Sequence, residues 1–176
     1  MKTSVTLRDG RTVEVRRRLL PGDAGRIIQF HGDVYDRECG FGTRFEGYVA
    51  VTVGEFAVRH TPDAPGERIW IASPPGTLEP VGCCALLDAG EGQAQFRWFL
   101  IRPDYRGTGL GRLLLEDSIA FARQSGYRRI FLYTSDFLLP AAALYQSCGF
   151  VLADRQRAEG WEVPFTEHKY VLDLTS

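Results

Sequence analysis

Three closely spaced glycines separate an apolar strand pattern from an apolar helix pattern. The segment, residues 99–115, reads FLIRPDYRGTGLGRLLL and contains Gly107, Gly109 and Gly111. Glycine lets the backbone approach a ligand closely, and the first N–H groups of a helix lack intrahelical partners and point along its dipole. A strand, a glycine-rich loop and a helix in this order therefore predict a site for a phosphate group. The structural alternative is a tight turn that requires positive φ.

Two common phosphate-binding motifs do not fit this loop. The dinucleotide fingerprint G-x-G-x-x-G needs a glycine where Arg112 or Leu114 stands, and no Gly-Lys pair is present for G-x-x-x-x-G-K-[ST]. A nicotinamide-dependent oxidoreductase is therefore disfavoured. Residues 106–111, RGTGLG, instead fit [Q/R]-x-x-G-x-[G/A] and follow a strand that ends in Ile-Arg-Pro. This segment resembles the pyrophosphate loop of the GNAT superfamily of acyl-CoA N-acyltransferases.

A second motif lies downstream, at the end of a predicted short helix. Residues 143–150, ALYQSCGF, resemble the (L/I)-Y-x-x-x-G-F sequence of the same superfamily. The resemblance implies that Tyr145 is the general acid that protonates the departing CoA thiolate. A phenol with a pKa near 10 is mostly protonated at neutral pH, which suits this role. The alternative is that Tyr145 only packs beneath the helix and donates a hydrogen bond to a carbonyl.

The resemblance also implies where acetyl-CoA, the expected co-substrate, would bind. The strand before the loop would pair with the pantetheine amides, as an added strand does, and the loop amides would hold the pyrophosphate. The side chains of Arg106 and Arg112 could add charge-assisted contacts. The implied CoA-binding residues are Phe99, Leu100, Ile101, Arg106, Gly107, Thr108, Gly109, Leu110, Gly111, Arg112, Ser135 and Ala141.

The acceptor side is less defined, because two family positions differ here. Gln95 stands where many members carry a glutamate base, and Leu138 where an asparagine is often found. The base is therefore open among water, an acceptor that arrives as the free amine, and a residue of the first two helices. Arg97 could bind an acceptor carboxylate or lie on the surface. The candidates for the acceptor wall are His31, Tyr35, Glu38, Glu46 and Tyr48, of which His31 titrates nearest neutral pH but could equally be a structural histidine.

Three aromatic residues near these positions, Trp98, Trp161 and Phe165, are interpreted as core or loop packing. A finer resemblance involves residues 30–38, FHGDVYDRE, and residues 133–136, YTSD. Both segments are similar to the acetyltransferase half of MarR-type regulator–acetyltransferase fusions. No winged-helix pattern precedes them, so no DNA-binding role is expected.

Composition limits the remaining possibilities. The 176 residues are 44% hydrophobic with a formal net charge of −1, which predicts one domain over residues 1–176 and gives no electrostatic reason to expect nucleic acid or a membrane as partner. No membrane span or signal sequence is apparent, so a cytoplasmic protein is expected. The four cysteines and three histidines lack metal-ligand spacing, so free thiols and no metal are expected. A homodimer is compatible with the sequence.

The periodicity predicts strands and helices in the order of an α/β domain. An Asp-Gly hairpin opens the chain, Asp23 is expected to cap the first helix, and the run 16–18 of three arginines is expected on a solvated strand face. Residues 129–134 are expected to form a strand covered on both faces. With the resemblance, this implies the GNAT fold: a mixed, largely antiparallel sheet flanked by helices, with a V-shaped cleft between two central strands.

The sequence therefore predicts an N-acetyltransferase that acts on a primary amine of a small molecule or peptide. The alternative from another class is a non-catalytic acyl-CoA-binding sensor on the same fold, which the missing glutamate at Gln95 leaves open.

Overall fold

A computed structural model describes residues 2–61 and 65–175 of the chain. The elements, in chain order, are β1 (Lys2–Thr6), β2 (Thr12–Arg16), α1 (Asp23–Cys39), α2 (Gly42–Arg59), β3 (Arg68–Ser73), β4 (Gly82–Asp88), β5 (Gln93–Ile101), α3 (Leu110–Gln124), β6 (Arg129–Ser135), α4 (Leu139–Ser147), β7 (Val151–Ala158) and β8 (Phe165–Asp173). The loop expected over residues 61–66 includes positions 62–64, which lie outside the described residues. No helix in the described part of the chain is both long and apolar enough to cross a bilayer.

The eight strands of the described residues join one sheet in the order β1-β2-β3-β4-β5-β6-β8-β7. Every neighbouring pair is antiparallel except β5 and β6, which are parallel. This arrangement confirms the predicted α/β class and the mixed, largely antiparallel sheet.

Two hydrophobic cores cover the two faces of the sheet. Helices α3 and α4 pack on one face through residues such as Leu114 and Tyr145, and helices α1 and α2 pack on the other through residues such as Ile27 and Phe56. Adjacent Cys83 and Cys84 on β4 point into different cores, as the alternation of side chains along a strand predicts. All four thiols are free.

A β-bulge in β5 changes which face its side chains occupy. Cys83 pairs with Leu100 and Ala85 with Arg97, so two residues of β5, Trp98 and Phe99, lie opposite one residue of β4. Trp98 has a positive φ of 49°, which is unusual for a residue with a side chain. As a result, Phe96 packs on the α3 side of the sheet, whereas Trp98 packs on the α1–α2 side.

The arginine run and the first helix cap differ from the predictions. Arg16 is 3% exposed and forms a buried ion pair with Asp23 at 2.6 Å, so the predicted solvated position is wrong for this residue. Asp23 accepts a hydrogen bond from the Leu20 N–H at 2.7 Å and does not cap α1, whose N-cap is Gly22. The Asp23 carboxylate, which predicted an N-cap, instead neutralises the buried guanidinium of Arg16.

Strand β6 is covered more on one face than the other. Ile130 and Leu132 are buried against α3, but Tyr133 on the opposite face is 42% exposed. The prediction of a strand buried on both faces is therefore wrong. Since Tyr133 borders the cleft described below, its exposure results from the opening in the sheet.

Candidate functional site

A cleft of about 690 Å³ opens where β5 and β6 separate. The two strands pair only through residues 93–95 and 129–131, because the bulge after Arg97 bends β5 away. Beyond Gln95 of β5 and Phe131 of β6, the backbone edges of the two strands face each other without pairing. This volume is within the range of small-molecule sites.

The glycine-rich loop forms one end of this cleft. Gly107 and Gly109 have φ of 75° and 92°, a region in which other residues are strained. Gly111 opens the first turn of α3, where an added Cβ would lie 3.3 Å from the Phe99 ring and 3.4 Å from Leu144. Glycine therefore keeps both the turn and the close approach of α3 to β5.

The backbone amides of this loop are available. Within the described residues, none of the six successive N–H groups of residues 107–112 donates a hydrogen bond to a protein acceptor. The first helical N–H with a backbone acceptor is that of Leu113, which bonds to the Gly109 carbonyl. Because unpaired amides at a helix N-terminus attract anions, the loop has the donors that a phosphate group needs.

The two predicted arginines of the loop make protein contacts. Arg106 forms a two-pronged ion pair with Glu38 at 2.8 and 2.9 Å. Arg112 lies 3.2 Å from Glu116 and donates a hydrogen bond to Ser147 at 2.8 Å. Both side chains line the cleft.

A third arginine, absent from the sequence prediction, borders the same loop. The Arg8 N–H bonds to the Thr108 carbonyl at 3.0 Å, and an added Cβ at Gly109 would lie 3.2 Å from Arg8 Nε. The Arg8 guanidinium makes no ion pair or side-chain hydrogen bond within the described residues. Arg8 was missed because its hairpin sequence indicates only a turn.

Tyr145 of α4 lines the cleft. It is 5% exposed, and its ring is 5.9 Å from the Phe99 ring and 6.3 Å from the Phe96 ring. Its hydroxyl has no hydrogen-bond partner in the described part of the chain, so the structural alternative of a bond to a carbonyl is not observed. Burial raises the pKa of Tyr145 well above its ordinary value, so the hydroxyl keeps its proton at neutral pH.

The other predicted CoA residues divide into two groups. Thr108 and Leu110 are buried and do not line the cleft, so only their backbone could contact a ligand there. Ser135 is buried with an unpartnered hydroxyl. The cleft is lined by the remaining predicted residues, Phe99, Leu100, Ile101, Arg106, Gly107, Gly109, Gly111, Arg112, Ser135 and Ala141.

His31 and Tyr35 lie together beneath the α1 side of the cleft. Their rings stack at 6.1 Å, and His31 Nδ1 lies 2.8 Å from the Ile27 carbonyl, whereas Nε2 has no partner within the described residues. Burial lowers the pKa of His31 to about 4, so the ring is neutral and a weak base at pH 7. Burial also raises the pKa of Tyr35.

Arg97 lies on β5 and reaches towards α2. Its guanidinium donates a hydrogen bond to the Tyr48 hydroxyl at 2.6 Å and lies 5.6 Å from the centre of that ring. The bulge places Arg97 and Trp98 on the same face of the sheet, and both line the cleft. Among the described residues Arg97 has no carboxylate partner.

Six aromatic rings, which we call the aromatic wall, line the cleft on the α1–α2 side of the sheet. Trp161 and Phe165 pack against neighbouring rings of this wall, as expected, and also line the cleft. Neighbouring rings contact one another at centroid distances from 5.1 to 6.2 Å. The wall consists of Phe41, Phe45, Tyr48, Phe137, Trp161 and Phe165.

Glu167 of β8 was also missed. It lines the cleft and accepts a hydrogen bond from Gln156 at 2.8 Å. Only two carboxylates line the cleft in the described structure, and the other, Glu38, is paired with Arg106. Within the described residues no cluster of side chains could hold a metal ion.

A sheet that splits beside a glycine-rich helix N-terminus offers an open strand edge and an anion site, which suits an extended ligand that carries phosphate. The model of the acetyltransferase (GNAT) family matches residues 34–150. The chain therefore belongs to the GNAT acetyltransferase family. The predictions of one domain over residues 1–176 and of a relation to MarR-type fusions stay predictions.

Relatives and solved structures agree with this assignment. The chain is 39% identical over 71 residues to an uncharacterized N-acetyltransferase of Schizosaccharomyces pombe, a match that covers 40% of this chain and 44% of the relative. The chain spans about half the length of the curated relatives it matches.

The fold is shared with solved members of the family. A GNAT-family protein of Desulfovibrio desulfuricans aligns with a TM-score of 0.70 at 23% identity, over 92% of this chain and 98% of that one. The yncA protein of Salmonella typhimurium, solved with its cofactor acetyl-CoA, aligns with a TM-score of 0.72 at 16% identity, over 93% and 95% of the two chains. At these identities the likeness confirms the GNAT fold.

Proposed function

We propose that this protein transfers an acetyl group from acetyl-CoA to a primary amine of a small molecule. The observation that carries the proposal is the row of six unpaired amides, residues 107–112, at the end of an open cleft that is also lined by Tyr145 with its free hydroxyl. These features supply an anion site and a proton donor along one continuous cavity.

The pyrophosphate of the donor would lie on the loop amides, with Arg8 beside them. The pantetheine arm would extend between β5 and β6 and take the place of the missing strand, so that its amides pair with the backbone of β5. Ser135, with a buried and unpartnered hydroxyl on β6, could bond to the same arm. This orientation places the thioester near Tyr145, between the glycine loop and the aromatic wall.

The reaction then needs three contributions from the chain. The acceptor nitrogen forms a bond to the thioester carbon, and an N–H of β5 near Leu100 stabilises the oxyanion. The C–S bond breaks as Tyr145 gives its proton to the sulfur, and Tyr145 recovers a proton from solvent as CoA leaves. The proton lost by the amine goes to Glu167 or water, since Gln95 cannot accept one and His31 is a weak base.

The first experiment measures thermal unfolding with acetyl-CoA, NAD or ATP, and then release of free CoA thiol in the presence of primary amines. A ligand that binds the native state raises the melting temperature by mass action, so we expect a shift with acetyl-CoA and none with NAD. No shift with acetyl-CoA would contradict the assignment of the cleft.

Thiol release separates an enzyme from a sensor. We expect amine-dependent release of CoA in a one-to-one ratio with acetylated amine. A protein that binds acetyl-CoA but releases no CoA with any amine would instead be the sensor that Gln95 leaves open.

A further inference from the structure

We propose that the acceptor is a primary amine that carries both an aromatic ring and a carboxylate. This inference rests on the proposed function and deepens it, because it names the substrate class of the same cleft. It follows from the juxtaposition of the aromatic wall, Arg97 and Glu167, which line the cleft on the α1–α2 face of the sheet.

The aromatic wall is assembled from distant parts of the chain. Phe41 lies between α1 and α2, Phe45 and Tyr48 on α2, Phe137 between β6 and α4, Trp161 between β7 and β8, and Phe165 at the start of β8. Helix α2, the turn before it, the segment before α4, the β7–β8 loop and strand β8 thus each contribute at least one ring to the same surface.

The rings of the wall are not sealed within a core. Tyr48 is 46% exposed and Phe137 is 40% exposed, and all six rings border the cleft. Phe41 is buried and contacts Phe45, Phe137, Trp161 and Phe165, so it fixes the surrounding rings in place. Stacked and edge-on aromatic contacts are favourable beyond the burial of area, so such a wall favours a ring over an alkyl chain.

Arg97 supplies a cation at the inner border of this wall. Its only side-chain hydrogen bond in the described residues goes to the Tyr48 hydroxyl, at 2.6 Å. It also lies against the Tyr48 and Trp98 rings, at 5.6 and 5.5 Å from their centres, which restricts its motion. A positioned guanidinium without an acidic partner has the donors to bind a carboxylate through two N–H groups.

Glu167 supplies a negative charge on the other arm of the cleft. It pairs in register with Ser135 of β6, so the two side chains lie on the same face, and Phe165 two residues earlier shares that face. Arg97 also lies on the α1–α2 face, but on β5. The cleft therefore presents a cation on one arm and an anion on the other, which complements an amine with a carboxylate.

The test compares four acceptors that separate ring from carboxylate: phenylalanine, phenethylamine, leucine and isopentylamine. Thiol release gives kcat/KM for each with saturating acetyl-CoA. We expect phenylalanine to exceed phenethylamine and leucine by about tenfold or more, and isopentylamine to be the poorest. The same ranking is expected for dissociation constants measured by calorimetry with the CoA-bound protein, which requires no turnover.

Variants assign the ring and the carboxylate to their sites. Arg97→Gln is expected to lower kcat/KM for phenylalanine about tenfold and to change that for phenethylamine less than threefold. Trp161→Leu is expected to reduce the preference for phenylalanine over leucine. Arg157→Gln, which changes an exposed arginine of β7, is the matched control and should leave all four values unchanged.

The outcomes distinguish this inference from the proposed function. If leucine or isopentylamine equals phenylalanine, the inference is overturned while the acetyltransferase stands. If phenylalanine binds the CoA complex in the expected ranking but no thiol is released, the substrate class stands and the enzyme proposal fails. An Arg97→Gln effect of equal size on phenylalanine and phenethylamine would overturn the role of Arg97. If phenylalanine is neither bound nor acetylated, the inference as a whole is overturned.

Discussion

Burial affects two titratable residues of the cleft lining in ways that suit different roles. It raises the pKa of Tyr145, which keeps a proton available, and lowers that of His31 to about 4, which removes a base near neutral pH. The sequence could not separate these outcomes, because both residues sit on helices among apolar neighbours. The depth of burial and the available hydrogen-bond partners decide the two pKa values, and both depend on the tertiary structure.

Replacing Tyr145 with phenylalanine removes the proposed acid and little else. Because its hydroxyl has no partner among the described residues, we expect the free energy of unfolding and the affinity for acetyl-CoA to remain unchanged. A general acid contributes about 10²–10⁴-fold, so kcat should fall about 100-fold or more in a thiol-release assay. Tyr170→Phe, a buried tyrosine 6.2 Å away, is the control. A rate within twofold of the parent would remove Tyr145 from the mechanism.

Replacing Arg8 with glutamine tests the contact that the sequence did not predict. A hydrogen bond to a charged group contributes about 1.5–3 kcal/mol, so the dissociation constant for CoA should rise about tenfold to a hundredfold. The effect should shrink at high salt, because screening weakens exposed charges. Arg18→Gln, an exposed arginine after β2, should have no effect. Equal affinities of the two variants would exclude Arg8 from the phosphate site.

His31 predicts a pH dependence of stability. Its folded pKa of about 4 lies below the unfolded value of 6.5, so the unfolded state binds more protons between these pH values. This contribution to stability is therefore present above about pH 6.5 and is lost as the pH falls towards 4. Between pH 7 and pH 5 the loss should be about 2 kcal/mol.

Urea unfolding of the parent and of His31→Gln at both pH values measures this loss. The difference between the two proteins isolates the histidine, because the carboxylates titrate in both. Tyr35 and Cys83, which lie nearby, have raised pKa values and stay neutral in this range. The same pH dependence in both proteins would contradict a neutral, buried His31.

At the scale of elements, the entry into α1 depends on an ion pair between Arg16 and Asp23. The two side chains are 4% and 1% exposed, and their closest atoms are 2.6 Å apart. Removing one partner leaves a buried charge, so Asp23→Ala should reduce the free energy of unfolding by about 3–5 kcal/mol. Asp173→Ala, in the exposed pair with Arg129, should cost less than about 1 kcal/mol in the same urea titrations.

The double variant Arg16→Met, Asp23→Leu is the decisive comparison. Since no unpaired charge remains, it should recover most of the stability that Asp23→Ala loses. If the double variant is as unstable as the single one, the cost comes from lost packing or from the lost Leu20 contact and not from the charge.

How far the sequence predicted the elements depends on how local each signal is. The sequence predicts strands over residues 68–73 and 93–101, which are the observed bounds of β3 and β5, because a continuous apolar run encodes β3 and apolar alternation encodes β5. The glycine loop and the tyrosine motif are local as well. Arg16 and Asp23 were misplaced because their pairing crosses a turn, and the aromatic wall was missed because its rings share no sequence period. The bulge at Trp98, which separates β5 from β6, leaves no distinctive residue pattern.

At the scale of the whole molecule, the sheet carries two cores and one interruption. The cores hold β4 and the first half of β5 from both faces. Beyond Gln95, β5 keeps β4 as a neighbour but no longer pairs with β6. The proposed donor would therefore bridge two parts of the sheet whose strands β5 and β6 pair through three residue pairs near their start. A homodimer and a cytoplasmic location stay predictions.

The split also has a consequence for isotope exchange of backbone amides. A strand in the middle of an eight-stranded sheet should exchange slowly, but the amides of β5 that face the cleft lack strand acceptors beyond Gln95. We expect residues 97–101 to exchange deuterium faster than β4 does, and to slow about tenfold or more when CoA is added. An unchanged rate in this segment, with slowing only around residues 107–112, would mean that the ligand touches the loop without entering the sheet. In this experiment the end of β5 would exchange like an edge strand in the free protein and like an interior strand in the CoA complex.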